Sequence, residues 1–540
     1  MASKNVDYVS LSRISLNRDS AGSPEKDPLW RDVNLQDGES NAVTCSSLQH
    51  WRLIVLTSPF FGLQAISLLL LSYGNPFLHS LEISKPVTAL VWMSEPLCRV
   101  VFQPLLIAVS SSNPWTWGYR KPFVLCGTFA AIFFVLALTC TEDLTKDFIG
   151  VGQVHGEYVV RTMAKSHYLT QLLAILWIIA MNISIQPLLF GMRTFLIEQC
   201  PRHQLAEALA WSTTWGMLGG PFIGLAGSLD VTKWSTWLEK ANLKPLGLIT
   251  ALSLAIPVVA AYCYFQDKNH SQKSPSGFRY TILSHITGIW SSEDRAPHTC
   301  RQVYKIQFVA FLAWFPVLYY LSSYVYETGK CTVLHDHVDF ENYAIEQSDY
   351  RLIEKARDSG SFAIFLFSLV SLVVTFALHL LTFQSLSLVD SQNSSVLPTI
   401  LGISLARVWG LSHALLAVCC FLTFFVWTTP FATGLLAITG ICWAINSWIP
   451  ILILKSEITQ NAEDSACDNS DGRVQHSRSE SLLDWHHLAI SMPQILSALV
   501  CAILFKLFDV VDVRNGEAWI FRLSGIASCF ALYLTKRLEL

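Results

Sequence analysis

Residues 81–122 read LEISKPVTALVWMSEPLCRVVFQPLLIAVSSSNPWTWGYRKP, and the two parts of this stretch decide the class of fold. The first part is an apolar helix of membrane-spanning length. The second is a short turn that closes on Gly118, Tyr119, Arg120, Lys121 and Pro122, a small basic cluster. A hydrophobic span followed at once by a tight basic loop is the hinge between two neighbouring membrane helices, and its positive charge marks the cytoplasmic side.

The rest of the chain agrees with that hinge. Of 540 residues, 52% are hydrophobic and 14% charged, and mean hydropathy is +0.41. Soluble domains carry roughly 25% charged residues, so this chain has too little polar surface to face water all round. The reading is an all-α, multi-pass membrane protein. The net charge of −3 says little, since membrane-facing residues contribute none, and nothing in the sequence points to a nucleic-acid partner. The 14 cysteines are scattered through apolar runs without a CxxC pair, so they read as small core hydrophobes. There is no Walker loop, no GxSxG and no metal box, which speaks against an ATP-driven pump, an enzyme or a metal cofactor.

Residues 1–50 are rich in Ser, Asp and Asn, lack periodicity and are expected to form a disordered cytosolic tail. Apolar runs of about 20 residues, each enough to cross a roughly 30 Å hydrocarbon core, follow near 53–73, 87–109, 122–141, 169–197, 207–229 and 245–265. A polar stretch, 266–302, separates them from a second series near 303–326, 360–383, 408–428, 430–454, 486–507 and 517–535. Lipid offers backbone groups no partner, so all twelve must be helices. The expected domains are an N-terminal six-helix bundle over 51–265, a central cytosolic loop over 266–302, and a C-terminal six-helix bundle over 303–540. Lys and Arg in the loops place both ends of the chain inside and leave 326–358 outside. Cys140 and Cys331 both fall near the outer face, and spacing alone leaves a disulfide between them open. A six-plus-six arrangement about a polar middle loop is the outline of the major facilitator fold, whose site lies near the bilayer midplane.

Short motifs then narrow the class. LSYGNPFL at 71–78 precedes Leu90-Val91-Trp92 and Gln103-Pro104. Further on come Asn182 to Gln186, Arg193 to Glu198, Ala208 to Trp211, Ile306 to Phe308 with Ala313 to Pro316, Trp443 to Pro450 with Ser456 to Ile458, and Met492 to Gln494. In this order the pieces resemble the proton-coupled sucrose and maltose permeases, the glycoside–pentoside–hexuronide group of the major facilitators, and are most similar to fungal α-glucoside permeases. The resemblance implies a secondary transporter in the plasma membrane rather than the vacuolar membrane. Its substrate would be a disaccharide or glycoside, and a proton gradient would drive it in place of any cofactor. The departures from the family pattern are specific. Leu70 stands where the family has a glutamate, Ser111 where it has a loop aspartate, and Thr214 where fungal members carry an arginine. Glu95 and Arg99 replace two glycines, and RWGRRRP becomes Thr116 to Pro122.

Proton symport needs an ionisable group that both sides can reach. The resemblance puts Glu198 in that role, against the alternative that it faces water at a helix end before Cys200-Pro201. Glu95 and Arg99 are spaced i, i+4 in the favourable order. They read either as a self-neutralising pair at the pore wall or, for Glu95, as a replacement coupling site. Arg193 reads as a substrate-binding cation or as half of a gate. Arg99, Arg120 and Lys121 are the gating candidates, with a weakened lock expected where Ser111 has replaced the family's aspartate. A pyranose has an apolar face and a ring of donors and acceptors, so its site must mix aromatic faces with amides and hydroxyls. Tyr73, Asn75, Asn182, Gln186, Trp211, Gln307, Trp314, Trp443, Asn446 and Gln494 suit it, and each equally suits helix packing. His486 and His487 read as surface histidines. The rival functions are a diverged carrier of another small metabolite and a non-transporting sensor.

Overall fold

The computed structural model describes residues 49–112, 121–149, 158–200, 204–228, 243–264, 296–337, 345–388, 399–400, 403–466, 472–513 and 515–538, with only the backbone described in parts of the longer helices. The expected tail, most of the central loop, Arg120 and the basic turn before it lie outside these residues, as do the side chains of Glu198 and Cys331. Cys140 is a free thiol.

Twelve long helices carry the fold. In the first half they are α1 (His50–Ser80), α2 (Lys85–Trp92 and Ser94–Ser112), α3 (Lys121–Thr139), α4 (Tyr158–Gln199), α5 (Leu205–Ser228) and α6 (Leu243–Tyr264). In the second half they are α7 (His298–His337), α8 (Ile345–Leu388), α9 (Leu405–Leu422), α10 (Thr429–Ala466), α11 (Gly472–Val511) and α12 (Gly516–Lys536). A short helix, Thr141–Ile149, follows α3, and a two-residue antiparallel pairing, β1 (Thr399–Ile400) with β2 (Ile403–Ser404), precedes α9.

Among the described residues, 11 helices are long and apolar enough to cross a membrane. The expected span at 207–229 is α5, whose 24 residues reach about 36 Å. It falls short only in apolarity, because Gly216, Gly219, Gly220, Gly224 and Gly227 take the place of larger hydrophobes. All of them but Gly216 have a packing reason. A Cβ at Gly220 would meet Ser368 Cβ at 2.7 Å, and one at Gly224 would meet Phe365 Cβ at 2.7 Å. Small residues let helix backbones approach closely in lipid, where no hydrophobic drive joins them. The helix is thus an inner seam element between α1 and α8.

The packing repeats after six helices. α1 packs on α5 and α6 as α7 packs on α11 and α12. α3 packs on α4 and α6 as α9 packs on α10 and α12. The halves meet along two seams, α2 with α11 and α5 with α8, which exchange under the same offset. Large apolar side chains such as Phe129, Phe133, Leu411, Phe425 and Val510 are exposed, which suits an exterior bathed in lipid rather than water.

Candidate functional site

The mid-region of α1 is irregular, and proline explains it. Leu70–Gly74 is a π-helical turn ahead of Asn75-Pro76. Pro76 has no N–H to donate, so a carbonyl in the preceding turn loses its partner. Ser322 of α7 donates its hydroxyl to Leu71 O at 3.3 Å, so the second half supplies the missing donor. Asn75, held just after this turn, donates to Tyr319 O and accepts from Trp92 Nε1 at 2.6 Å. Leu70 is buried in the apolar core of the first half. Tyr73 runs under α5, where its hydroxyl sits 1.8 Å from the position a Cβ at Gly227 would take. Any side chain there would displace it.

Beside this turn lies the pair expected from the i, i+4 spacing. Arg99 donates to Glu95, and Tyr319 Oη of α7 donates to the second Glu95 oxygen at 3.3 Å. The pair therefore neutralises itself and also faces the other half. Asn182 donates to Ser94 Oγ at 2.8 Å, and Gln186 donates to Asn182 O at 3.2 Å. Asn182 thus ties α4 to α2, while the Gln186 bond stays within α4.

The second half repeats the motif with a difference. Trp409 Nε1 of α9 donates to Asn446 Oδ1 at 3.0 Å, and Gln307 Nε2 of α7 donates to Asn446 O at 3.4 Å. Trp314 and Trp443 meet edge to face at 5.1 Å. Yet Gln307 Oε1, Asn446 Nδ2 and Trp314 Nε1 are buried without a hydrogen-bond partner. An unpaired buried polar group costs about 1–3 kcal/mol, and here an acceptor and two donors are left over beside aromatic faces. Four residues singled out in the sequence (Gln307, Trp314, Trp443 and Asn446) are brought together here. Gln494 is buried on α11. Trp211 sits apart, at the α5–α8 seam. Its ring packs on His379 at 5.3 Å, and His379 in turn faces Thr214 Oγ1 at 3.4 Å and Trp448 at 5.7 Å.

Two clusters escaped sequence reading. At one end of the molecule Lys85 of α2 contacts Glu517 of α12 at 2.7 Å and Glu327 of α7 at 3.3 Å. Among the described residues it is the cation whose ion pairs join the halves. Lys85 and Glu517 stand at helix starts, where a charge is ordinarily taken for a solvated flank, and Glu517 is only 1% exposed. Near the opposite end Arg193 of α4 meets His487 of α11 at 2.7 Å, and His486 is buried at 3% exposure. The surface reading of His486 is thus corrected. α11 begins at Gly472, well ahead of the apolar run, so this layer lies inside a helix rather than at its start. Lys121 lies over the Tyr262 ring at 4.5 Å, a contact within the first half.

No family model matches the chain. It is 25% identical to the general alpha-glucoside permease of Schizosaccharomyces pombe over 553 residues, covering 90% of this chain and 93% of that protein. A sucrose transport protein of Oryza sativa subsp. japonica is 22% identical over 276 residues, 49% of this chain and 53% of its own length. Among solved structures, the nucleoside transporter NupG matches with a TM-score of 0.50 at 12% identity over 90% of this chain and 99% of its own. A D-xylose–proton symporter does so with 0.50 at 13% identity over 89% and 95%. The protein is a multi-pass membrane protein whose fold is that of these major facilitator structures, and its sequence likeness runs toward the sugar carriers.

Proposed function

We propose that this chain carries an α-glucoside, or a closely related glycoside, across the membrane by proton symport. The observation that carries the reading is the α7–α10 cluster. There the unpaired Gln307 Oε1, Asn446 Nδ2 and Trp314 Nε1 lie with the rings of Trp314 and Trp443. A pyranose presents hydroxyls that both donate and accept and a CH face that packs on an aromatic ring. The likeness to an alpha-glucoside permease and to sucrose transport proteins supports the same class. Leu70 is packed in an apolar core, so coupling has to use a group other than the one at that position in the related permeases.

The test is uptake of labelled maltose and sucrose by yeast lacking its own permeases, at pH 5 and pH 7.5, with delivery to the membrane checked by a tag. Uptake that is faster at pH 5 and falls with a protonophore is the expected result. Uptake indifferent to pH would make the protein a uniporter. No flux of either sugar with correct delivery would remove the glycoside reading.

A further inference from the structure

We propose that His487 is the group whose protonation parts the two halves at the end opposite Lys85. The inference rests on the proton-coupled reading above and assigns its proton site. It stands on one bond between the halves. Arg193 on α4 donates from Nη1 to Nε2 of His487 on α11 at 2.7 Å. A guanidinium has donors only, so this imidazole nitrogen is the acceptor and carries no proton. A proton added there removes the acceptor and sets an imidazolium against a guanidinium at hydrogen-bonding distance. The bond then becomes a repulsion.

Among the described residues the charges that act on this ring are those of Arg193, His486 and Arg99, all basic groups. On α11 itself the neighbour is His486, with ring centroids 5.8 Å apart and its Nε2 buried without a partner. From α4 comes Arg193, and from α2 the charge of Arg99 acts on the same ring. From α7, Tyr304 at this level is committed to Leu482 O at 2.9 Å. Glu95, a carboxylate of α2, is already taken by Arg99 and Tyr319. The layer is therefore basic throughout among the described residues.

The other end is held differently. The stretch of α11 from His487 to Val511 is about 36 Å long at 1.5 Å per residue, and beyond it Glu517 and Glu327 grip Lys85. Opposite charges there are indifferent to a proton taken up at His487. A proton that reaches His487 while the Lys85 end is open loosens the Arg193 end once the Lys85 end has closed, and its release to the side that has opened restores the Arg193–His487 bond and shuts it again.

The test uses the full-length protein in liposomes, with a cysteine at Thr194, next to Arg193, and a membrane-impermeant maleimide. Labelling is expressed relative to that of a fully exposed reference cysteine, which cancels the fall in thiolate with acid, and so expressed it should rise at least tenfold in Thr194→Cys between pH 8 and pH 5. In Thr194→Cys with His487→Gln the amide oxygen still accepts from Arg193 but binds no proton, and labelling should be flat with pH. Sugar counterflow, which needs no net proton movement, should persist in that variant while sugar-induced proton uptake is lost. An unchanged tenfold rise in the His487→Gln background would overturn the proposal. Arg193→Gln, which removes the repelling cation, gives an independent reading and should also flatten the profile. If the parent protein moves no sugar but its labelling still depends on pH through His487, the glycoside reading fails and the switch stands.

Discussion

Each half makes the same pairing, a tryptophan donating to an asparagine, on helices that do not correspond under the repeat (α2 to α1, and α9 to α10), and uses it differently. In the first, Trp92 donates to Asn75, and the Asn75 amide is spent on Tyr319 O. In the second, Trp409 donates to Asn446, and the Asn446 amide has no partner. The contrast is general. Among the described residues 18 buried side-chain polar atoms lack a hydrogen bond, and only those of Arg99, Trp177 and Trp215 belong to the first half. The first half spends its polar groups on its own architecture and on fastening itself to the second. The second keeps donors and acceptors in reserve beside Trp314 and Trp443. In a fold whose halves repeat, the unsatisfied polar groups among the described residues are concentrated in one copy.

The joint between them gives the largest effect. Lys85→Ala leaves Glu517, 1% exposed, as an uncompensated buried carboxylate. Breaking one side of a buried pair costs about 3–5 kcal/mol, and the expected loss is about 3 kcal/mol because Lys85 is itself part-exposed. Thermal unfolding in detergent measures it. Lys85→Met with Glu517→Met should be milder than Lys85→Ala, since no lone charge remains. If the double variant is the worse of the two, the pair does not act as a clamp between halves.

Next comes the ligand side. Trp443→Ala removes the half-buried ring that faces Trp314, and the concentration for half-maximal maltose uptake should rise by about 10- to 100-fold, a loss of about 1.4–2.8 kcal/mol. Asn182→Ala, which breaks only the tie to Ser94, should lower thermal stability by about 1 kcal/mol and leave that concentration within about twofold. Equal losses of affinity in the two variants would mean that both halves bind the ligand.

Much of this was legible in the residues themselves. Helical spans are forced by lipid, so apolar runs place the twelve long helices of the described residues directly, eleven of them apolar enough to cross a membrane on that measure alone. The glycine-rich α5 shows why hydropathy undervalues a seam helix. Its glycines are there for close approach to Ser368 and Phe365, not for contact with lipid. The Glu95–Arg99 pair follows from spacing. Gln307, Trp314, Trp443 and Asn446 could be named from residue type, but not separated from Asn75 or Asn182. The separation depends on which amide finds a partner elsewhere in the chain, and those partners are up to 244 residues away. The same holds for Lys85 and His487. Their partners sit on the opposite half, and no local periodicity reports a contact between halves.

The smallest effect is also the sharpest comparison. Trp92→Phe and Trp409→Phe each keep an aromatic ring and delete one indole donor to an asparagine. In the first half Asn75 keeps its bond to Tyr319 O, so the cost should be about 1 kcal/mol of stability, with transport unchanged. In the second half Asn446 would be left with neither side-chain atom paired, and its amide would be free to turn. Stability should fall by a similar amount, about 1–2 kcal/mol. The difference lies in recovery. A bound glycoside can satisfy the freed Asn446 oxygen but cannot reach Asn75, which is pinned between Trp92 and α7. Added maltose should therefore raise the melting temperature of Trp409→Phe by more than it raises that of Trp92→Phe. Equal shifts would place the ligand elsewhere than the Gln307–Asn446 face.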